Sequence, residues 1–181
     1  MVNINIYQIN EMRISKGYWL WGLFQTKDKF FLNEIKAKVQ SRLKSPFFET
    51  HITLSGPYLN FDKNFLEKLK TFAENNSAIN LNFGGYHFKQ EIFKSFYISI
   101  KKSRRLEKLR RNLYDLNNFD LENNYYPHIS LSYGNHEIKD KKEIISNLPE
   151  LNKPIRMSKI ALVKVDEDIN LWQILESYDL K

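Results

Sequence analysis

A chain of 181 residues, 42% of them apolar, has the material for one sizeable core, and its 28 lysines and arginines against 21 acidic residues give a formal charge of +7 that suits a phosphate-bearing partner. It contains no cysteine, which excludes disulfides, thiol nucleophiles and cysteine-ligated zinc or iron–sulfur sites. No apolar run reaches the roughly 18 residues of a membrane span, and Met1-Val2-Asn3-Ile4 lacks the charged-then-apolar order of a signal peptide, so a cytoplasmic protein is expected.

Residues 2–9 alternate Val2, Ile4 and Ile6 with Asn3 and Asn5, the pattern of an edge strand or of a leader before Gly17. Tyr18 to Phe24 is apolar on both faces and reads as a central strand; Asp28 then caps a helix whose apolar positions Phe31, Ile35, Val39 and Leu43 keep a four-residue step. A strand through His51 follows and is ended by Gly56-Pro57. Asp62 caps a second helix with Phe65, Leu66, Leu69, Phe72 and Ala73 on one face. Ile79, Leu81 and Phe83 alternate as a strand before a Gly84-Gly85 kink, followed by strands 86–88 and 96–100. Ser103 opens a helix over 103–117 that turns Leu106, Leu109, Leu113 and Leu116 inward. Arg104, Arg105, Lys108, Arg110 and Arg111 then crowd the remaining surface, as a solvated face or as an RNA track. After the strand through His128, a short helix over 141–147 is ended by Pro149, and residues 156–165 and 171–178 form a closing hairpin around Asp166-Glu167-Asp168.

Two of the four histidines share a tetrapeptide frame, His51-Ile52-Thr53-Leu54 and His128-Ile129-Ser130-Leu131. On a strand, period-two alternation puts each histidine on one face with the hydroxyl two residues on, and the apolar residues on the other. The two histidines are 77 residues apart, and the same offset lays strand 18–24 on 95–101 and the first helix on the basic one. Each half is therefore strand, helix, His-strand, and a duplicated unit can oppose its two His-x-Ser/Thr faces across one cleft. The expected fold is a single two-lobed α+β domain over residues 1–181, with antiparallel sheets around a central cleft.

Opposed imidazoles can divide general base and general acid between them near neutral pH. The hydroxyls of Thr53 and Ser130 are donors suited to the non-bridging oxygens of a phosphate whose charge builds in the transition state. A strained cyclic phosphodiester asks for no more, so neither metal nor cofactor is expected. No His-Glu-x-x-His supplies a third zinc ligand, and Ser130 has no Gly-x-Ser-x-Gly elbow. His87 and His136 lack the frame and read as structural or surface residues.

The paired motifs, with Leu20-Trp21, Phe48-Glu49-Thr50 ahead of the first, Phe96 to Ile100, and Pro127 to Tyr133 around the second, resemble the 2H phosphoesterase superfamily, and within it the cyclic nucleotide phosphodiesterase branch. The resemblance runs from about Tyr18 to Tyr178; residues 1–16 match nothing in it and are read as an N-terminal extension. It implies hydrolysis of 2′,3′-cyclic phosphates of nucleotides or RNA ends, commonly to 2′-phosphates and without metal. It further implies His51 and His128 as the catalytic pair, Thr53 and Ser130 as phosphate binders, Tyr133 as a base-stacking aromatic and Trp21 as a substrate contact. Tyr133 reaches the cleft only if its strand ends near Ser132, which Gly134 favours. The alternatives are an RNA- or nucleotide-binding module that keeps the fold, and an enzyme acting on 2′–5′-linked oligonucleotides. The expected partner is a cyclic nucleotide or RNA end, with RNA contact through the basic helix and no membrane, and the protein is expected to be a monomer.

Overall fold

The structure, a computed structural model, describes residues 16–116 and 125–181. The alternation at 2–9 and the last residue of the expected basic helix lie outside the described residues. In chain order the elements are β1 (Gly17–Phe24), α1 (Thr26–Leu43), β2 (Ile52–Tyr58), α2 (Lys63–Asn75), β3 (Ile79–Leu81) and β4 (Phe83–Phe88). Then come β5 (Phe96–Ile100), α3 (Arg104–Asp115), β6 (His128–Ser132), α4 (Ile138–Ile145), β7 (Ile155–Val165) and β8 (Gln173–Asp179). All strand pairs are antiparallel, in a five-stranded sheet ordered β2-β1-β7-β3 and a three-stranded sheet ordered β4-β5-β6. The long β7 carries β3 and β8 end to end on one edge, β3 opposite residues 155–157 and β8 opposite 159–164. The α+β architecture with two sheets and a duplicated strand-helix-strand plan is the one read from the sequence.

The main core lies between the sheets and the helices: it takes Leu20, Ile52, Leu54, Ile98, Ile129 and Leu131 from the two sheets and Leu32, Leu69 and Leu106 from the helices. In β1, Leu20 and Phe24 enter this core while Trp19, Trp21 and Leu23 join Ala161, Val163 and Val165 of β7 on the opposite face. The strand is apolar on both sides because one side is core and the other is the floor of a cleft. Gly22 sits on the core side because a Cβ there would collide with Met157 and Ile52.

The helices are exchanged between halves. α1, from the first half, packs against β6 of the second, and α3, from the second half, packs against β2 of the first. The two motif strands β2 and β6 are also in direct contact.

Four details differ from the sequence reading. The cap of α1 is Gln25, not Asp28, whose carboxylate instead accepts from Gln25 Nε2 and from Arg156 N. β2 runs through Gly56-Pro57 to Tyr58. Residues 79–88 are not one sheet's run: the chain leaves the large sheet after Leu81 and enters the small one at Phe83, since alternation at 79, 81 and 83 is shared by two strands in register with different partners. Arg110 is buried rather than on the exposed face of its helix.

Candidate active site

A cavity of about 270 Å³ opens between the two sheets. From the five-stranded side it is lined by Trp19, Trp21, His51, Thr53, Val165 and Trp172, and from the other by Tyr125, Tyr126, His128, Ser130 and Tyr133, with Phe93 and Lys94 at one end. The four residues of the paired tetrapeptides are thus gathered in one cleft, as their spacing predicted. Their apolar neighbours Ile52, Leu54, Ile129 and Leu131 are all fully buried in the core, which fixes the register of both strands.

Each imidazole is held in the same way. His51 Nδ1 lies 2.8 Å from the carbonyl of Glu49, and His128 Nδ1 lies 2.8 Å from the carbonyl of Tyr126, two residues back in each case. A carbonyl only accepts, so Nδ1 carries the hydrogen and Nε2 is the nitrogen left to exchange protons in the cleft. The surroundings then differ. His51 is 6% exposed, and Trp21 stacks flat on it with ring centroids 3.5 Å apart and planes within 6°. Burial holds its pKa down near 3, against the pull of the Glu49 carbonyl and with further help from Lys36 and His128. His128 is half-buried, and burial again pushes it below its ordinary value; Lys94 and Lys89 act in the same sense, Tyr126 O and Glu91 against it.

Two residues assigned by resemblance have neighbourhoods of their own. Trp21 lines the cleft, but at 2% exposure its ring is committed to His51. Tyr133 is 5% exposed: Phe48 stacks on it at 4.1 Å, and the rings of Phe93 and Trp172 meet it edge-on at 5.5 and 5.6 Å, which leaves little of its face for a base. β6 does end at Ser132, and Gly134, at φ +118°, turns the chain there. Burial raises the pKa of the Tyr133 phenol, with Ser130 acting in the opposite sense, so it keeps its proton.

The irregular stretch before His51 is fastened to one stripe of α1. Lys29 pairs with Glu49 at 2.9 Å, Asn33 accepts from Thr50 Oγ1 at 2.7 Å, and Gln40 donates to Pro46 O at 2.8 Å. Lys36, buried between them, donates to Phe48 O and sits 3.5 Å above the Phe48 ring. Burial lowers its pKa to about 7, with Glu49 opposing. In the second half, Arg110 donates through Nε to Leu54 O at 2.7 Å and lies 3.2 Å above the ring of Tyr125, whose hydroxyl donates to Thr53 O at 2.9 Å. Sequence reasoning gave no role to Lys36, Tyr125 or Trp172, and took Phe48 only as part of the block ahead of the first motif. The exposed cations of α3 do not line the cleft; Arg105 and Lys108 face a separate hollow beside Asn75, Asn76 and Ile79.

Among the described residues no three His, Asp or Glu side chains come together as a metal would need, and no helix is long and apolar enough to cross a membrane.

The sequence matches the model of a family described as the 2′-5′ RNA ligase superfamily over residues 26–169. No curated protein matches it by sequence. Among solved structures, apo LigT of E. coli superposes with a TM-score of 0.63 at 13% identity, over 93% of this chain and 99% of that one. LigT of E. coli complexed with 3′-AMP gives 0.58 at 12%, over 92% and 99%, and TT0787 of Thermus thermophilus gives 0.57 at 15%, over 90% and 97%. At these identities the likeness is one of fold.

Proposed function

Since the chain belongs to the 2′-5′ RNA ligase superfamily, whose members carry phosphoesterase or 2′-5′ ligase-like activity, we propose that it is a phosphodiesterase that opens 2′,3′-cyclic phosphates of nucleotides or RNA ends. The observation that carries this reading is the pair of imidazoles with Nδ1 tied to a backbone carbonyl, sharing one small cleft with the hydroxyls of Thr53 and Ser130. A pair of proton-transfer groups and a pair of neutral donors is what displacement at a cyclic phosphate requires.

His51, kept neutral by its burial beside Trp21 and Lys36, removes a proton from water as the water oxygen bonds to phosphorus. His128, nearer solvent than His51, delivers a proton to the departing ribose oxygen as the P–O3′ bond breaks. The product is a 2′-phosphate, and the two histidines finish with their protons exchanged. Thr53 and Ser130 donate to the non-bridging oxygens. The cavity volume suits one nucleotide, so an RNA ending in a cyclic phosphate would lay its remaining length outside, where the exposed cations of α3 are a candidate track. The test is hydrolysis of the four 2′,3′-cyclic nucleotides, a cyclic-phosphate RNA and a 2′–5′ dinucleotide in chelator. Turnover of the 2′–5′ dinucleotide alone would replace this reading with the linkage-specific one, and activity abolished by EDTA and restored by zinc would end the metal-free mechanism.

A further inference from the structure

One charged group in the cleft takes no part in the reaction above. Among the described residues lining it, Lys94 is the one lysine or arginine, and no carboxylate lines it. Its ammonium lies 4.0 Å from Glu91 Oε2, while Glu91 Oε1 is already 3.0 Å from the ammonium of Lys89. Two cations share one carboxylate, so this corner keeps a net positive charge, and Lys94 is still 37% exposed in its side chain.

The corner is fixed in place. Lys89 N donates to the carbonyls of Lys94 and Ser95 at 3.1 and 3.3 Å, Gly134 N donates to Ile92 O at 3.0 Å, and the buried ammonium of Lys141 reaches Lys89 O at 2.8 Å. Phe93, from the same turn, sets its ring against Tyr133. Strand register tells at which end of the small sheet Lys94 stands. His128 is opposite Ser99 and Ser132 is opposite Phe96, levels about 10 Å apart at 3.3 Å per residue, and Lys94 lies beyond the second. A lysine reaching into the cleft from that end meets a group displaced from the phosphorus between the imidazoles. Lys94 and His128 nevertheless line the same cavity, so both face the same space.

A ribose that carries a 2′,3′-cyclic phosphate bears its other phosphate at C5′, across the ring. We propose that Lys94 forms a subsite for this second phosphate, the 5′-phosphate of the reacting nucleotide, present as a free monoester or as the link to the rest of an RNA. The inference rests on the cyclic-phosphodiesterase reading for which phosphate is second, and it makes the substrate a nucleotide with two phosphates rather than a bare cyclic nucleoside phosphate.

The test compares adenosine 2′,3′-cyclic phosphate, its 5′-phosphorylated form and an ApA dinucleotide ending in a cyclic phosphate, with wild type, Lys94→Gln and Lys94→Arg. Wild type should prefer the 5′-phosphorylated substrate in kcat/KM, Lys94→Gln should shrink that preference about 5- to 30-fold, and Lys94→Arg should retain most of it. An equal shrinkage for ApA assigns the subsite to a linking phosphate as well; shrinkage for the monoester alone assigns it to free nucleotides. No preference in wild type, or an equal loss on bare and phosphorylated substrates, overturns the subsite. If wild type hydrolyses none of the three, the cyclic-phosphodiesterase reading fails, and calorimetric binding of adenosine 2′-monophosphate and 2′,5′-bisphosphate decides separately. A bisphosphate advantage that Lys94→Gln removes keeps the subsite, and equal affinities for the two ligands remove it.

Discussion

In the first half a lysine, and in the second an arginine, is buried against the aromatic residue three positions ahead of the motif histidine: Lys36 against Phe48, and Arg110 against Tyr125. Each aromatic then reaches the other half's motif, Phe48 by stacking on Tyr133 and Tyr125 by donating to Thr53 O. The crossing follows from the exchanged helices, because α1 lies on β6 and α3 on β2. None of the ion pairs among the described residues involves either cation; both donate to backbone carbonyls instead. What separates the two is chemistry. An arginine stays charged at any pH the fold survives, whereas Lys36, lowered to about 7, gives up its proton within the working range. One brace titrates and its counterpart does not.

The strongest way to break the pairing of the halves is at the histidines. His51→Ala and His128→Ala should each lower turnover about 100- to 10,000-fold, and the double variant should lose less than the product of the two, because both act on one transition state. Wild-type turnover in either single variant would mean that the halves are not a catalytic pair. The cations come next. Arg110→Met strands the Leu54 carbonyl and should cost about 1–3 kcal/mol in urea unfolding, while Lys36→Met at pH 8 should cost less, since it replaces a side chain already largely neutral. Equal costs would make the two braces equivalent.

The pH dependence of stability sharpens the same contrast. Between about pH 7 and 10.5 the unfolded chain holds the Lys36 proton that the native protein has released, so native stability rises with pH across that window. The rise should shrink in Lys36→Met, leaving the part that the buried Lys141 contributes in the same sense, and persist undiminished in Arg110→Met. On the acid side the sign is set by His51: from about 6.5 down to 3 the unfolded imidazole binds a proton that the native one refuses, so stability falls as pH falls, and His51→Asn should flatten the slope. With His128 also below its ordinary value, the alkaline limb of kcat/KM should lie below 6.5. The smallest effects belong to single hydroxyls. Tyr125→Phe should cost about 0.5–1.5 kcal/mol of stability. Tyr133→Phe should be nearly silent, since Phe48, Phe93 and Trp172 hold its ring; normal turnover but weak nucleotide binding in a folded Tyr133→Ala would restore Tyr133 to base stacking.

Most of the architecture and the four motif residues were legible because they follow short periods. Alternation of Ile52, Thr53 and Leu54, and of Ile129, Ser130 and Leu131, decides which side chains face the cleft, and the 77-residue offset pairs the halves. What escaped depends on contacts between elements distant in sequence. Lys36 and Arg110 did leave a signal: each stands four residues after a buried leucine and three before a buried apolar residue, Leu32 and Val39 for one, Leu106 and Leu113 for the other. A cation in the apolar register of a helix is a buried cation, and reading Arg110 with its exposed neighbours Arg104 and Arg111 hid it. Trp172 carried no such mark. It reaches the cleft only because β8 folds back on β7 after a turn where its indole N–H donates to Asp166 O at 2.7 Å. The break between β3 and β4 was equally hidden, since alternation continues across it while the pairing partner changes.

The protein has three tryptophans, Trp19, Trp21 and Trp172, and all three line the one cleft. Its intrinsic fluorescence is therefore a signal from that cleft with no background from tryptophan elsewhere. Trp21, flat against His51, is a reporter of that ring's charge, because a protonated imidazole in face contact quenches indole emission. An emission titration of the unlabelled protein should show Trp21 dimming only in strong acid when the cleft is empty, and nearer neutrality once an anionic ligand raises the proton affinity of His51.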